Sequence, residues 1–410
     1  MQSKNVTLDV QQVWGYYTSF DERLDSEHHD QNSGAYIFRP SIPEQKLILI
    51  HPKQARFVKS SIGTEIHTEF EEPWVQTTTR VLTGVPYLEV EYTIGPISIT
   101  DGRGKEVVTK FITPLQTSST FFTDSNGREF IKRRRNYRPT WDLNVFEPVA
   151  GNYYPVNAAI YMEGNKASKP ALAVVVDRSQ GGASLGDGSL ELMVQRRILA
   201  DDWRGVDESL NETSVGITPA PPYGNATRLG DGIIVTGMHR VLVGPGGGAH
   251  LARSAMDGAF VEPLVFVGSA PSGEQVPFRM GNFSVTSYGL PPNIMLITYA
   301  PLDLGEDNSD VDAVFLVRLG HQYGIGEDPV LSKSVDVDLL NLFPGHNIVS
   351  VQEKTLSGNQ DHAAWAKQRL DWTGEESAGQ YRSSPKGTTV TLNPMDILTF
   401  EIAVKDFARL

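Results

Sequence analysis

The stretch Leu88-Glu89-Val90-Glu91-Tyr92-Thr93-Ile94 decides the fold. Leu88, Val90, Tyr92 and Ile94 share one face while Glu89, Glu91 and Thr93 share the other, the period of two of a half-buried strand. Working outward, apolar runs or alternation predict further strands at 8–13, 47–50, 171–176, 190–194, 233–236, 295–299, 313–319, 334–337, 349–351 and 397–404. Turn dipeptides fall between them, among them Asp101-Gly102, Asn126-Gly127, Asp187-Gly188, Asp231-Gly232 and Pro344-Gly345. Many short strands punctuated by 38 Gly and 25 Pro predict an all-β sandwich rather than alternating strands and helices. Only 361–370, with Ala, Lys and Gln inside it, reads as a short helix.

A chain of 410 residues exceeds what one hydrophobic core usually organises. The turn-rich segment 324–329, followed by a fresh series of strands, predicts a large β domain over 1–330 and a smaller β domain over 331–410. With 40% hydrophobic and 21% charged residues the composition is that of a folded chain. No run approaches eighteen apolar residues, and the first twenty-five positions lack the zones of an export signal. The 36 basic and 49 acidic residues leave a net charge of −13, which disfavours a phosphate backbone as partner. There is no cysteine, so disulfides, thiolate metal sites and a Cys nucleophile are excluded. Four Asn-x-Ser/Thr sequons, at Asn5, Asn211, Asn225 and Asn282, predict glycosylation on surface loops of a secretory-pathway protein. With no export signal, they suggest a processed piece of a longer precursor.

Several patterns match catalytic or binding motifs only in part. Gly244 to Gly248 (GPGGG) lacks the Lys-Ser/Thr of a phosphate loop and reads as a flexible connection. Gly182-Ala183-Ser184-Leu185-Gly186 fits the nucleophile-elbow spacing, yet Leu190, Leu192 and Val194 continue with strand period, so a hairpin connection is expected. His28-His29 sits in an acidic loop, and His321, at the end of an apolar strand, suits a hydrogen-bonded structural role. Asp303, Glu306, Asp307, Asp310 and Asp312 lack calcium-loop spacing. The basic-aromatic run from Arg128 to Arg138, with Lys132, Arg133, Arg134 and Arg135 near Tyr137 and Trp141, admits nucleic-acid binding. Net charge and flanking strands favour a salt-bridged structural segment. Arg196, Arg197 and Arg204 lie close in sequence to Asp201 and Asp202, a composition suited to bidentate pairing.

Four longer stretches, FFTDSNGREFIKRRRNYRPTW, EPVAGNYYPVNAAIYM, DRSQGGASLGDGSLELMVQRRILADDWRG and NPMDILTF, carry a family resemblance. They closely resemble the C-terminal half of α-mannosidases of glycoside hydrolase family 38, of the lysosomal and plant vacuolar type, over about residues 8 to 400. The resemblance implies a galactose-mutarotase-like super-sandwich and a vacuolar or lysosomal, possibly extracellular, location. It also implies the role of a small, β-rich subunit beside a large catalytic subunit. That partner would carry Zn2+ and the Asp nucleophile of a retaining mechanism acting on terminal α-mannose of N-linked glycans. No zinc-ligand or nucleophile motif of the family occurs in this sequence, and no metal ligand or catalytic residue is assigned to it. The family's C-terminal half contributes a tyrosine to the bound mannose, and the motif Asn152-Tyr153-Tyr154-Pro155 carries that role to Tyr154. A phenol on a loop suits it, since the hydroxyl donates and accepts while the ring packs on the sugar's apolar face. By their residues alone, Tyr153 and Tyr154 are equally well core aromatics, and the chain equally well a noncatalytic carbohydrate-binding or scaffold sandwich.

Overall fold

The structure is a computed structural model. It describes residues 2–3, 6–25, 31–41, 45–166, 168–214, 216–217, 231–261, 264–265, 267–268, 289–303, 311–340, 342–343, 347–368, 370 and 388–405. The chain divides into two compact units, 1–262 and 263–410. The boundary predicted near residue 330 is therefore displaced by about one strand pair. Ile294–Asp303 pairs with Ala313–His321, which in turn pairs with Ile397–Lys405, so these strands belong to the C-terminal sheet.

In the first unit a nine-stranded antiparallel sheet faces a six-stranded one. The larger runs in the order Glu129–Arg134, Thr120–Ser125, Ala159–Glu163, Ala171–Val176, Val235–Gly244, Leu88–Ile94, Val75–Leu82, Gly63–Phe70 and Pro52–Ser60. The smaller runs Tyr154–Val156, Gln180–Ala183, Ser189–Arg197, Lys105–Ile112, Gln11–Thr18 and Ile48–Ile50. Inward-facing side chains of both interleave in one core: Val90, Leu172, Val174 and Val241 from the large sheet meet Phe111, Leu190 and Leu192 from the small one. Each such apolar side chain contributes about 1.5–3 kcal/mol by leaving water. The alternation of the Leu88–Ile94 strand is the device, with Val90, Tyr92 and Ile94 buried.

A helix the sequence did not announce, Gly248–Phe260, lies on the other face of the large sheet. Ala249, Ala252, Ala255 and Ala259 pack on Ala159, Ala173, Val175 and Leu242, small residues that let helix and sheet approach closely. GPGGG is thus a strand-to-helix connection. Gly246 and Gly247 have φ of 88° and 101°, a region glycine enters without steric cost. The helix N-terminus, an anion site in phosphate loops, is already occupied by Glu163, whose Oε1 accepts the Gly248 N–H at 3.0 Å.

The second unit sets the four-stranded sheet Ile294–Asp303, Ala313–His321, Ile397–Lys405 and Asn347–Lys354 with the pair Val335–Asp338 and Thr389–Leu392. Val317, Leu319, Phe400 and Ile402 share a core there with Val337, Val390 and Leu392. His362–Lys367 is helical, inside the predicted 361–370. His321 is fully buried, its Nε2 is 2.9 Å from the Lys333 carbonyl, and its Nδ1 accepts the Tyr323 N–H. That is a structural histidine.

Candidate functional site

Tyr154 opens the short strand Tyr154–Val156, paired with Gln180–Ala183, so Tyr154 and Val156 turn to the inter-sheet core while Tyr153 turns to the outer face. The two neighbouring phenols therefore have different surroundings. Tyr154 is half-buried, its ring 5.9 Å from Phe121 and under the Arg133 guanidinium, 4.3 Å from the ring centroid. Arg138 Nη1 donates to the Tyr154 hydroxyl at 3.1 Å, and Arg138 Nη2 to the Gly151 carbonyl at 3.0 Å. A hydroxyl has one proton and two lone pairs. Among the described residues, the Tyr154 proton has no acceptor in hydrogen-bond range.

Tyr153 instead packs edge-on against Phe38, with centroids 4.8 Å apart, and donates its hydroxyl to Glu191 Oε1 at 2.5 Å. Tyr17 donates to the same oxygen at 3.0 Å, and Lys110 Nζ stands 3.7 Å from Glu191 Oε2. Glu191 is fully buried. Burial pushes its carboxyl above the usual range, against the two phenols and the ammonium that favour its ionised form. Of the two phenols expected as core aromatics or sugar contacts, Tyr153 takes the structural part.

The basic segment and the tyrosine motif, read separately in the sequence, meet here. Asn136 ties them: its N–H donates to Asn152 Oδ1 at 2.8 Å and its Oδ1 accepts from Asn152 Nδ2 at 2.7 Å. Arg135 pairs with Asp187 at 3.3 Å, the salt bridge expected of this segment. Arg133 and Arg138 stack on Tyr154 and Arg134 on Tyr137. Burial pushes the Arg133 guanidinium below its ordinary value, and nearby Arg138 adds to the shift.

The downstream Arg/Asp cluster arranges itself differently from its sequence spacing. Arg196 pairs with the fully buried Glu106 at 3.1 Å. A register shift between Met193 and Gln195 turns Arg196 to the same sheet face as Glu191 and Glu106. Asp202 Oδ2 accepts the N–H groups of Tyr36 and Ile37 at 2.6 and 3.0 Å, and Asp201 Oδ2 accepts that of Trp203 at 2.9 Å. The network pins turns. Ser184 is buried in the connection between antiparallel strands Gln180–Ala183 and Ser189–Arg197, as a hairpin requires.

Asn211, expected on a surface loop, is 6% exposed, and its Oδ1 accepts from Arg197 Nε at 2.8 Å. Asn5, Asn225, Asn282, His28, His29, Glu306, Asp307 and Asp310 lie outside the described residues. Among the described residues no group of three or more His, Asp or Glu is arranged to hold a metal ion, so these residues offer no site that fits Zn2+.

Residues 2–204, including Tyr154 and the segments around it, match the glycosyl hydrolases family 38 C-terminal domain. The chain belongs to that family. It is 40% identical over 411 residues to the lysosomal alpha-mannosidase of Bos taurus, covering 98% of this chain and 38% of that protein. The human lysosomal alpha-mannosidase is 39% identical over 414 residues, with 98% and 37% covered. A probable alpha-mannosidase of Arabidopsis thaliana is 37% identical over 413 residues, with 96% and 38% covered. This family 38 chain thus spans well under half the length of these relatives.

Proposed function

We propose that the chain is the β-rich, non-zinc-binding part of a retaining α-mannosidase that removes terminal α-D-mannose from N-linked glycans in a vacuole or lysosome. The observation that carries it is sustained identity, across nearly the whole chain, to proteins named alpha-mannosidases. The remaining part of the enzyme, as a large subunit or a linked segment, holds the zinc ion and the two carboxylates that a retaining glycosidase needs about 5–5.5 Å apart. Zinc there supplies electrostatic stabilisation at the sugar. This chain supplies scaffold and one phenol. Arg138 fixes the Tyr154 oxygen by a charge-assisted bond, leaving the Tyr154 proton to donate to a mannose hydroxyl.

The test is hydrolysis of an aryl α-mannoside by the complete enzyme and by the purified single chain. Turnover and stoichiometric zinc are expected only with the complete enzyme, and robust turnover by the single chain would overturn the reading. For the phenol, Tyr154→Phe in the complete enzyme is expected to lower kcat and kcat/KM together. One hydrogen bond of about 0.5–1.5 kcal/mol corresponds to roughly a two- to tenfold loss.

A further inference from the structure

The second unit holds a cavity of about 560 Å³ between the end of the strand Asn347–Lys354, the loop after it and the helix His362–Lys367. Small-molecule sites span roughly 300–1,000 Å³. His362 and Trp365, about one helical turn apart, contribute two half-buried rings with centroids 5.5 Å from each other. The rest of the wall includes the Glu353 carboxylate, 6% exposed, and the hydroxyls of Thr355, Ser357 and Thr399. The loop is fixed by the protein itself. Arg318 Nε donates to the Leu356 carbonyl at 3.0 Å and its Nη2 to that of Ser357 at 3.2 Å, while Gly358, at φ 83°, donates its N–H to the Thr355 carbonyl at 2.8 Å.

The direction of the hydrogen bonds in this wall selects the ligand. Thr355 and Ser357 donate to Asn359 Oδ1 at 2.8 and 2.7 Å, and Thr399 donates to the Leu356 carbonyl at 3.3 Å. Each hydroxyl thus commits its one proton within the protein and keeps lone pairs, and the Glu353 carboxylate adds acceptor oxygens. The Lys354 ammonium is shared between Asp361 at 3.0 Å and Glu401 at 3.2 Å, so an anion would compete with two carboxylates for it. A wall of acceptors beside aromatic rings suits an uncharged ligand with many donors and one apolar face. A pyranose is such a ligand: its hydroxyls donate, and its C–H face packs on an indole. We propose that this cavity binds a neutral hexopyranose of a glycan chain, with the ring on Trp365 and hydroxyls donating to Glu353 and to the loop. The sugar is read from the chemistry of the cavity, and the site goes beyond the mannosidase reading because it needs neither zinc nor Tyr154.

The experiment is photo-labelling of the complete enzyme with an α-D-mannoside whose aglycone carries an aryl diazirine, read by peptide mass spectrometry. Label is expected within 353–367, suppressed by excess methyl α-D-mannopyranoside or N-acetyl-D-glucosamine and not by inorganic phosphate. Whichever of the two sugars competes better identifies the hexopyranose. Glu353→Gln, which keeps the shape of the side chain and removes its charge, is expected to weaken that labelling about fivefold to tenfold. Label absent from 353–367, or label there that neither sugar suppresses, would overturn the site in the unsubstituted protein, whatever the variant does. Label within 353–367 in a preparation that does not hydrolyse an aryl α-mannoside would leave the sugar site standing and count only against the mannosidase reading.

Discussion

Tyr153 and Glu191 are joined by a 2.5 Å hydrogen bond on the outer face of the smaller sheet, while Tyr154, one residue on, faces the other way and is held by Arg138. Tyr153→Phe leaves Glu191 one donor short in a fully buried site, since Tyr17 remains. The expected outcome is a loss of about 1–3 kcal/mol of stability with kcat/KM unchanged. Urea unfolding and steady-state kinetics on the same preparation check it, and a kinetic loss without destabilisation would reverse the roles of the two phenols.

Asp124 is 3% exposed and accepts four backbone N–H bonds. Its Oδ1 takes Asn157, Ala158 and Ala159 at 2.9, 2.9 and 3.0 Å, and its Oδ2 takes Gly127 at 2.8 Å. It fixes the turn that follows the Tyr154–Val156 strand. Asp124→Ala orphans these donors and is expected to cost about 3–5 kcal/mol. A fall in the denaturation midpoint worth less than about 1 kcal/mol would show that water replaces the carboxylate without loss.

His239 is fully buried between Tyr92 and Phe111, and burial pushes its pKa from 6.5 down to about 4. Between those values the unfolded chain binds more protons than the folded one, so this residue's contribution to stability falls as pH drops from 6.5 towards 4. The shift corresponds to about 3 kcal/mol. His239→Gln is expected to flatten that limb of the stability profile, measured by unfolding from pH 7 to pH 4. Parallel profiles for the two proteins would contradict it.

A Cβ on Gly248 would lie 2.1 Å from Tyr161 Cδ2, inside the contact between helix Gly248–Phe260 and the large sheet. Gly248→Ala is accordingly expected to cost about 1–3 kcal/mol despite alanine's better helix propensity. A thermal midpoint equal to that of the wild type would mean that the helix shifts freely on the sheet.

Peptide mapping of native protein is expected to find Asn211 unmodified, because a glycan there would have to displace Arg197 from a site that is 6% exposed. Occupancy at Asn211 would show that this turn rearranges around a sugar.

The sheets were legible because their inward faces follow a period of two, as at Val90, Tyr92 and Ile94. Pairing partners were not. The strand Ala313–His321 pairs on one side with Ile397–Lys405, far later in the chain, and nothing in its local pattern points there. The helix Gly248–Phe260 escaped because glycines open it and its buried face is made of alanines, which give a weak hydrophobic period. At the candidate site the tyrosine motif was readable through family likeness. Its guanidinium was not, since Arg138 reaches Tyr154 across a sixteen-residue separation that the Asn136–Asn152 tie helps to close. The Arg196 ion pair depends on a bulge that reverses the facing of the strand beyond Met193.

The strand Pro52–Ser60 closes the large sheet with every residue exposed, so one line of its peptide groups is open to a further strand. Such an edge is a template for self-association. Pro52 withdraws one donor at its start, and Lys53, Arg56 and Lys59 distribute positive charge along the rest. Two copies approaching edge to edge would bring like charges together at each turn of the register. The border of the sandwich is thereby guarded against polymerising with itself.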